Sequence, residues 1–300
     1  MGELNSNTKM GNTISKFDWL DRNEYPFNHN YLTVDGKRMH YIDEGSGEVV
    51  LFVHGTPSWS FDFREQIKTI SKTHRCIAAD HIGFGLSDKP ENYGYSTKQH
   101  SKNLESFINH LQLDNITLVV HDFGGPIGLN YAIYHPQKIK QLVVLNTWLW
   151  STRNESEYKQ AEMILKSPLL PVLYKYFNFS ARFLVTQSWG NKKTLTKEIH
   201  KHYLKPFSKP SERMGTIAFA KSLLNDQDWF EELWSKVDVL TGKPTLFIWG
   251  KLDKFMPLKF LEKFLTKFKH AQTAQVSAGH FLQDEAAAEV TAQLNLFLTQ

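Results

Sequence analysis

The sequence predicts an α/β protein: a mostly parallel sheet covered by helices on both faces, with a helical segment inserted late in the chain. Three observations carry that expectation. From about residue 31 short apolar runs alternate with segments of helical periodicity. The alternation stops after Trp150 and resumes at Pro244. The 300 residues, 41% of them hydrophobic, suffice for one sizeable core plus an inserted lobe.

The first 20 residues are polar and lack the apolar stretch of about 7–15 residues that a secretory signal needs. Residues 1–25 are therefore expected to form a flexible leader. Met1-Gly2-Glu3-Leu4-Asn5-Ser6 and Met10-Gly11-Asn12-Thr13-Ile14-Ser15 match the form of an N-myristoylation signal, but a plain leader is the expectation. Asp35-Gly36 lies between apolar residues 31–34 and 39–42, a hairpin signal that places two antiparallel strands first. Residues 49–53, 76–79, 116–120, 142–145 and 245–249 read as buried parallel strands. Ser96-Thr97-Lys98-Gln99 has the form of a capping box, and Leu104, Phe107, Ile108 and Leu111 then fall on one helical face. Residues 151–230 look helical throughout and are expected to form a cap inserted into a core of 26–150 and 231–300. A weaker strand at 271–277 and a closing helix at 284–298 complete the chain.

The formal charge of +4 comes from 35 basic and 31 acidic residues spread along the chain, without the basic stripe of a nucleic-acid binder. No run approaches the roughly 18 apolar residues of a membrane span. A soluble, cytoplasmic protein with no nucleic-acid or membrane partner is expected. The single cysteine, Cys76, cannot form an intrachain disulfide and reads as a small buried hydrophobe.

Chemistry concentrates at strand ends. His121-Asp122-Phe123-Gly124-Gly125-Pro126 follows a strand and opens a helix, the setting of a nucleophile elbow, with aspartate where a nucleophile would stand. The alternative is an aspartate that caps the helix. His54-Gly55-Thr56-Pro57 follows the 49–53 run, where a loop can offer the Thr56 N–H to pair with that of Phe123 as an oxyanion hole. Asp253 follows the 245–249 strand, and His280 follows the last one. Nucleophile, acid and histidine thus occur in the order of the α/β-hydrolase triad, each past a strand's carboxyl end.

With these motifs the sequence resembles the haloalkane dehalogenase and epoxide hydrolase branch of the α/β-hydrolase superfamily, from about residue 30 to the end. The resemblance extends to the loop Asp80-His81-Ile82-Gly83-Phe84-Gly85-Leu86-Ser87-Asp88-Lys89-Pro90, expected to be structural, and to Leu145-Asn146-Thr147-Trp148 and Gly279-His280-Phe281-Leu282-Gln283. It implies an α/β-hydrolase fold with an eight-stranded sheet. It also implies Asp122 as nucleophile, His280 as base and Asp253 as the acid that orients it, because Asn146 occupies the alternative acid position and cannot carry the charge. An alkyl ester on Asp122 would be hydrolysed by water with no metal or cofactor, the partners being a small apolar organic substrate and water.

The resemblance is incomplete where a halide must be held. Dehalogenases commonly have a tryptophan after the nucleophile and either an asparagine in the His-Gly-Asn-Pro turn or a cap tryptophan; here Phe123 and Thr56 take the first two places. Trp148, Trp150 and Trp189 are the candidate indole donors. Epoxide opening, the alternative reaction, needs two acidic phenols, for which Tyr158, Tyr174, Tyr176 and Tyr203 are available. A hydrolase-fold binding protein without turnover is the third reading. Oligomeric state cannot be read from the sequence.

Overall fold

The structure, a computed structural model, describes residues 17–300; the two myristoylation-like patterns lie outside the described residues. Eight strands form one sheet: β1 (Asn30–Val34), β2 (Lys37–Glu44), β3 (Val49–Val53), β4 (Arg75–Ala79), β5 (Ile116–His121), β6 (Ile139–Leu145), β7 (Thr245–Gly250) and β8 (Gln272–Val276). Their order is β1-β2-β4-β3-β5-β6-β7-β8. β2 runs antiparallel to both β1 and β4, and every other pairing is parallel. At the hairpin Asp35 and Gly36 both take left-handed backbone, with φ of 50° and 67°. A two-residue turn that matches strand twist requires that geometry.

Among the described residues twelve helices flank and cap the sheet: α1 (Arg64–Ile70), α2 (Thr97–His110), α3 (Gly124–Tyr134), α4 (Ser156–Leu165), α5 (Leu170–Phe177), α6 (Val185–Ser188), α7 (Lys197–Leu204), α8 (Met214–Asn225), α9 (Gln227–Lys236), α10 (Leu258–Leu265), α11 (Leu282–Glu285) and α12 (Ala287–Leu298). A π-helical turn at Ser180–Leu184 runs into α6. The alternation of side chains along each strand divides the interior in two. Leu51 and Val53 of β3 face one core with Phe107 and Ile127, whereas Val50 and Phe52 face the other with Ile67 and Phe297. Helices α4 to α9 all fall between β6 and β7, where the sequence has no strand run.

Two expectations need correction. Only half of the capping box forms: the Gln99 N–H donates to Ser96 Oγ at 3.2 Å, but the Gln99 amide group turns to Asn103 Oδ1. Nor are residues 17–25 a free leader, because Leu20 and Tyr25 are buried and the Tyr25 hydroxyl lies 2.5 Å from Ser60 Oγ. Tyr25 packs between Phe27 and Trp59. An aromatic ring is enough apolar area to hold a polar segment down.

The Asp80 loop is structural, as expected. Its buried carboxylate accepts the N–H groups of Ser60 and Leu86 and bonds His40 Nδ1. Burial alone would raise its pKa, but the charge and hydrogen bond of His40 outweigh that and hold it at about 2. Cys76 is a buried free thiol, pushed up to about 12 by burial. No helix among the described residues is long and apolar enough to cross a membrane. Replacing Tyr25 by alanine is expected to cost about 3 kcal/mol of stability, in the range for truncating a buried aromatic ring. Urea denaturation checks this, and an unchanged midpoint would show the segment to be dispensable.

Candidate active site

The parallel register brings the ends of β3, β5, β7 and the loop after β8 to one edge of the sheet. In open α/β sheets that edge is where ligands bind. Asp122, the first residue past β5, has φ of 51°, a left-handed conformation costly for any residue with a Cβ. This is the strained turn expected of an elbow. Small residues make room for it: a Cβ on Gly124 would run into the carbonyl of Val53, and one on Gly125 into the Thr147 hydroxyl. Thr147 Oγ1 in turn donates to the Asp122 carbonyl at 2.6 Å.

Around Asp122 the groups singled out in the sequence converge. The Thr56 N–H donates to Asp122 Oδ1 at 2.7 Å, and His280 Nε2 lies 3.4 Å from Oδ2. His280 Nδ1 donates to Asp253 Oδ2 at 2.8 Å. The other Asp253 oxygen accepts the N–H groups of Phe255 and Met256, so this carboxylate is fixed by three donors. Burial alone would push the His280 imidazole down, but the charges of Asp253 and Asp122, each also hydrogen-bonded to it, carry it up to about 10. Phe123 stands at the start of α3 with its ring against Trp148 and Phe219.

These groups lie on a cavity of about 470 Å³ lined mainly by apolar side chains of the core and the cap, among them Leu165, Leu170, Leu184 and Leu223. Asp122 and His280 are its polar floor. No group of three or more metal-ligating side chains occurs among the described residues.

Residues 48–287 match the family model described as the alpha/beta hydrolase fold. The chain is 37% identical over 286 residues to a cis-3-alkyl-4-alkyloxetan-2-one decarboxylase of Shewanella oneidensis, covering 92% of this chain and 89% of the relative. It is 31% identical over 275 residues to haloalkane dehalogenase 2 of Mycobacterium tuberculosis, covering 90% and 94%. The chain belongs to the α/β-hydrolase family, in its haloalkane dehalogenase-like branch. Among solved structures, the haloalkane dehalogenase DatA from Agrobacterium tumefaciens superposes with a TM-score of 0.81 at 22% identity, covering 91% of this chain and 96% of that one.

Within this dehalogenase-like enzyme fewer of the candidate indoles reach the cavity than the sequence offered. Trp148 lines it, and its Nε1 is buried without a hydrogen-bond partner. Trp150 packs against Trp234, Phe260 and Phe264 instead, away from the cavity lining. Trp189 gives its N–H to Thr194 Oγ1 and stacks on Phe281. Of the tyrosines, Tyr158 and Tyr174 line the cavity, Tyr176 is exposed, and the Tyr203 hydroxyl lies 2.6 and 2.8 Å from the Asp62 and Asp284 carboxylates. Trp150, Trp189 and Tyr203 are thus kept out of the cavity lining by packing that no sequence spacing encodes, and Tyr176 faces outward.

Sequence reasoning missed the residues behind His280. Asn146 Nδ2 donates to the carbonyls of Gly279 and His280 at 3.1 and 3.2 Å, while its Oδ1 accepts the Gly250 N–H. His121 Nε2 donates to the His280 carbonyl at 2.9 Å, which leaves Nδ1 to accept from Gln283. The absence of charge at Asn146 excluded it as the acid, but its amide is suited to bridge two carbonyls and an N–H. An Asn146→Asp variant puts a carboxylate against two carbonyl oxygens and is expected to lose about 1–3 kcal/mol. Chemical denaturation measures the loss, and full stability would contradict the bridging role.

Proposed function

We propose that this enzyme attacks a saturated carbon of a small apolar substrate with the Asp122 carboxylate, displacing a leaving group and forming an alkyl ester that water then hydrolyses. The observation that carries the reading is Asp122 and His280 lining an apolar cavity, with Asp253 behind His280 and His280 Nε2 beside the carboxylate that would become the ester. An ionised aspartate needs no base to attack carbon. Once Asp122 is esterified its negative charge is gone, and the imidazolium that it helped to stabilise becomes more acidic. His280 then releases its extra proton to solvent and, once neutral, takes a proton from water as the oxygen attacks the ester carbonyl. Asp253 holds the ring's tautomer and steadies the cation that forms. The Thr56 N–H, already on Oδ1, and the Phe123 N–H next to the elbow would hold the oxyanion.

For a haloalkane the departing halide needs donors. Trp148 Nε1 and Thr56 Oγ1 are both buried without partners, in residues that line the cavity, and are the two groups available to hold it. Phe123 cannot contribute a side-chain donor, and that departure favours a second reading taken from the Shewanella relative. In that reading Asp122 opens the ring of a cis-dialkyl oxetan-2-one at C4, and the leaving group is the ring's own carboxylate. The carboxylate then departs as CO₂, its C–C bond pair forms the alkene, and the ester C–O bond breaks to restore Asp122. No water is consumed, and no halide is held.

The two readings separate in one pair of assays. Bromide release from 1-bromobutane or 1,2-dibromoethane supports dehalogenation, while CO₂ and a cis-alkene from a cis-3,4-dialkyl oxetan-2-one support decarboxylation. Consumption of styrene oxide in preference to both would point instead to epoxide opening by Tyr158 and Tyr174. A His280→Gln variant is expected to trap an alkyl adduct on Asp122, visible by mass spectrometry. Undiminished turnover in Asp122→Ala would refute covalent catalysis. In single turnover the hydrolysis step should slow as the pH falls through the His280 pKa of the ester form, which lies below the value of about 10 in the free enzyme. Ester formation should not show that fall.

A further inference from the structure

The cap presents an unusual surface. Among the described residues twelve large apolar side chains are exposed, and seven of them lie between Met163 and Phe183. Leu169, Val172 and Tyr176 follow helical spacing along the outer face of α5, with Tyr176 63% exposed. Met163, at the end of α4, is 79% exposed and joins that face through a short turn closed by the Ser167 and Leu170 N–H groups. A contiguous apolar surface on a monomer marks an interaction site more often than chance exposure does.

Charge identifies the kind of partner. Residues 156–209 contain ten lysines and arginines against three glutamates, a surplus of seven within a chain whose formal charge is only +4. The even spread of charge expected from the sequence is therefore corrected: the basic surplus sits in the cap. Lys159 and Arg182 are exposed and Lys175 is half-buried in the same stretch of chain, and none of the three has an ion-pair partner among the described residues. Two copies of this face meeting about a two-fold axis would set like charges against each other. An anionic lipid surface complements both the apolar stripe and the basic surplus of the cap.

The position of the cavity gives the contact a purpose. Ile164 is half exposed on this surface and also lines the cavity, next to Leu165, so apolar side chains continue from the outside of the cap toward Asp122. We propose that the α4–α5 face of the cap docks on anionic phospholipid bilayers, and that apolar substrate dissolved in the bilayer reaches the cavity past Ile164.

Vesicle co-sedimentation of the full chain tests the docking. Binding to phosphatidylcholine mixed with phosphatidylglycerol is expected to exceed binding to phosphatidylcholine alone by about tenfold, and to weaken as salt is raised. The Leu169→Ser, Val172→Ser, Tyr176→Ser triple variant and the Lys175→Glu, Arg182→Glu double variant should each lose that gain, while circular dichroism and turnover of a water-soluble substrate stay unchanged. An Asp122→Asn variant should bind vesicles as the parent does, so the result stands apart from the proposed chemistry. Equal binding to both vesicle types, no binding to either, or a concentration-dependent dimer that the triple variant dissolves would overturn the proposal; the last would make the face a contact between copies.

Discussion

Two carboxylates, Asp122 and Asp253, are buried at the carboxyl edge of the sheet with one imidazole between them. Removing an ion from water costs several kcal/mol even after the protein relaxes, so each must find charge or donors nearby. Asp253 is satisfied by two amide N–H groups and His280. Asp122 has the Thr56 N–H and a longer contact to His280, which leaves it the less restrained of the pair. One of two similar side chains is thereby fixed by three donors and the other held by fewer. Much of the surrounding structure serves to hold His280 where both can reach it.

The support extends well behind the ring. Asn146 and His121 grip the backbone of His280, and α11 directly after it is pinned through Gln283 to Asp62 and through Asp284 to Arg64. Tyr203, from the cap helix α7, places its one O–H between the Asp62 and Asp284 carboxylates. Burial raises Asp284 above the ordinary carboxyl range despite Arg64. The cap is thus tied to the element that carries the histidine by a buried polar chain, and substitutions in that chain act on the site without touching substrate. A network of this kind is costly when partly satisfied, because every unmade bond leaves a buried polar atom.

Much of this was legible because strand ends announce themselves. The apolar runs marked β3, β5, β6 and β7 to within a few residues, and the residues just past them are the ones that meet at the sheet edge. Asp122, Thr56, Asp253 and His280 follow from that rule together with chain order. The cap was legible only as helical. Whether Trp148 or Trp150 reaches the cavity depends on a rotation of two positions in a loop, and whether Tyr174 or Tyr203 faces inward depends on which helix lies beneath it. Asn146 was read for the charge it lacks, whereas its amide became useful only once three backbone segments met around it.

The sequence by itself determined the fold class, the succession of strands and helices along the chain and the candidate residues just past the strand ends, because apolar periodicity and turn chemistry act locally. Tertiary structure alone decided the size and lining of the cavity, the isolation of Trp150 and Trp189 from it, and the concentration of apolar and basic surface on the cap. These depend on packing between helices distant in sequence, where a rotation of one residue, about 100°, exchanges a buried face for an exposed one.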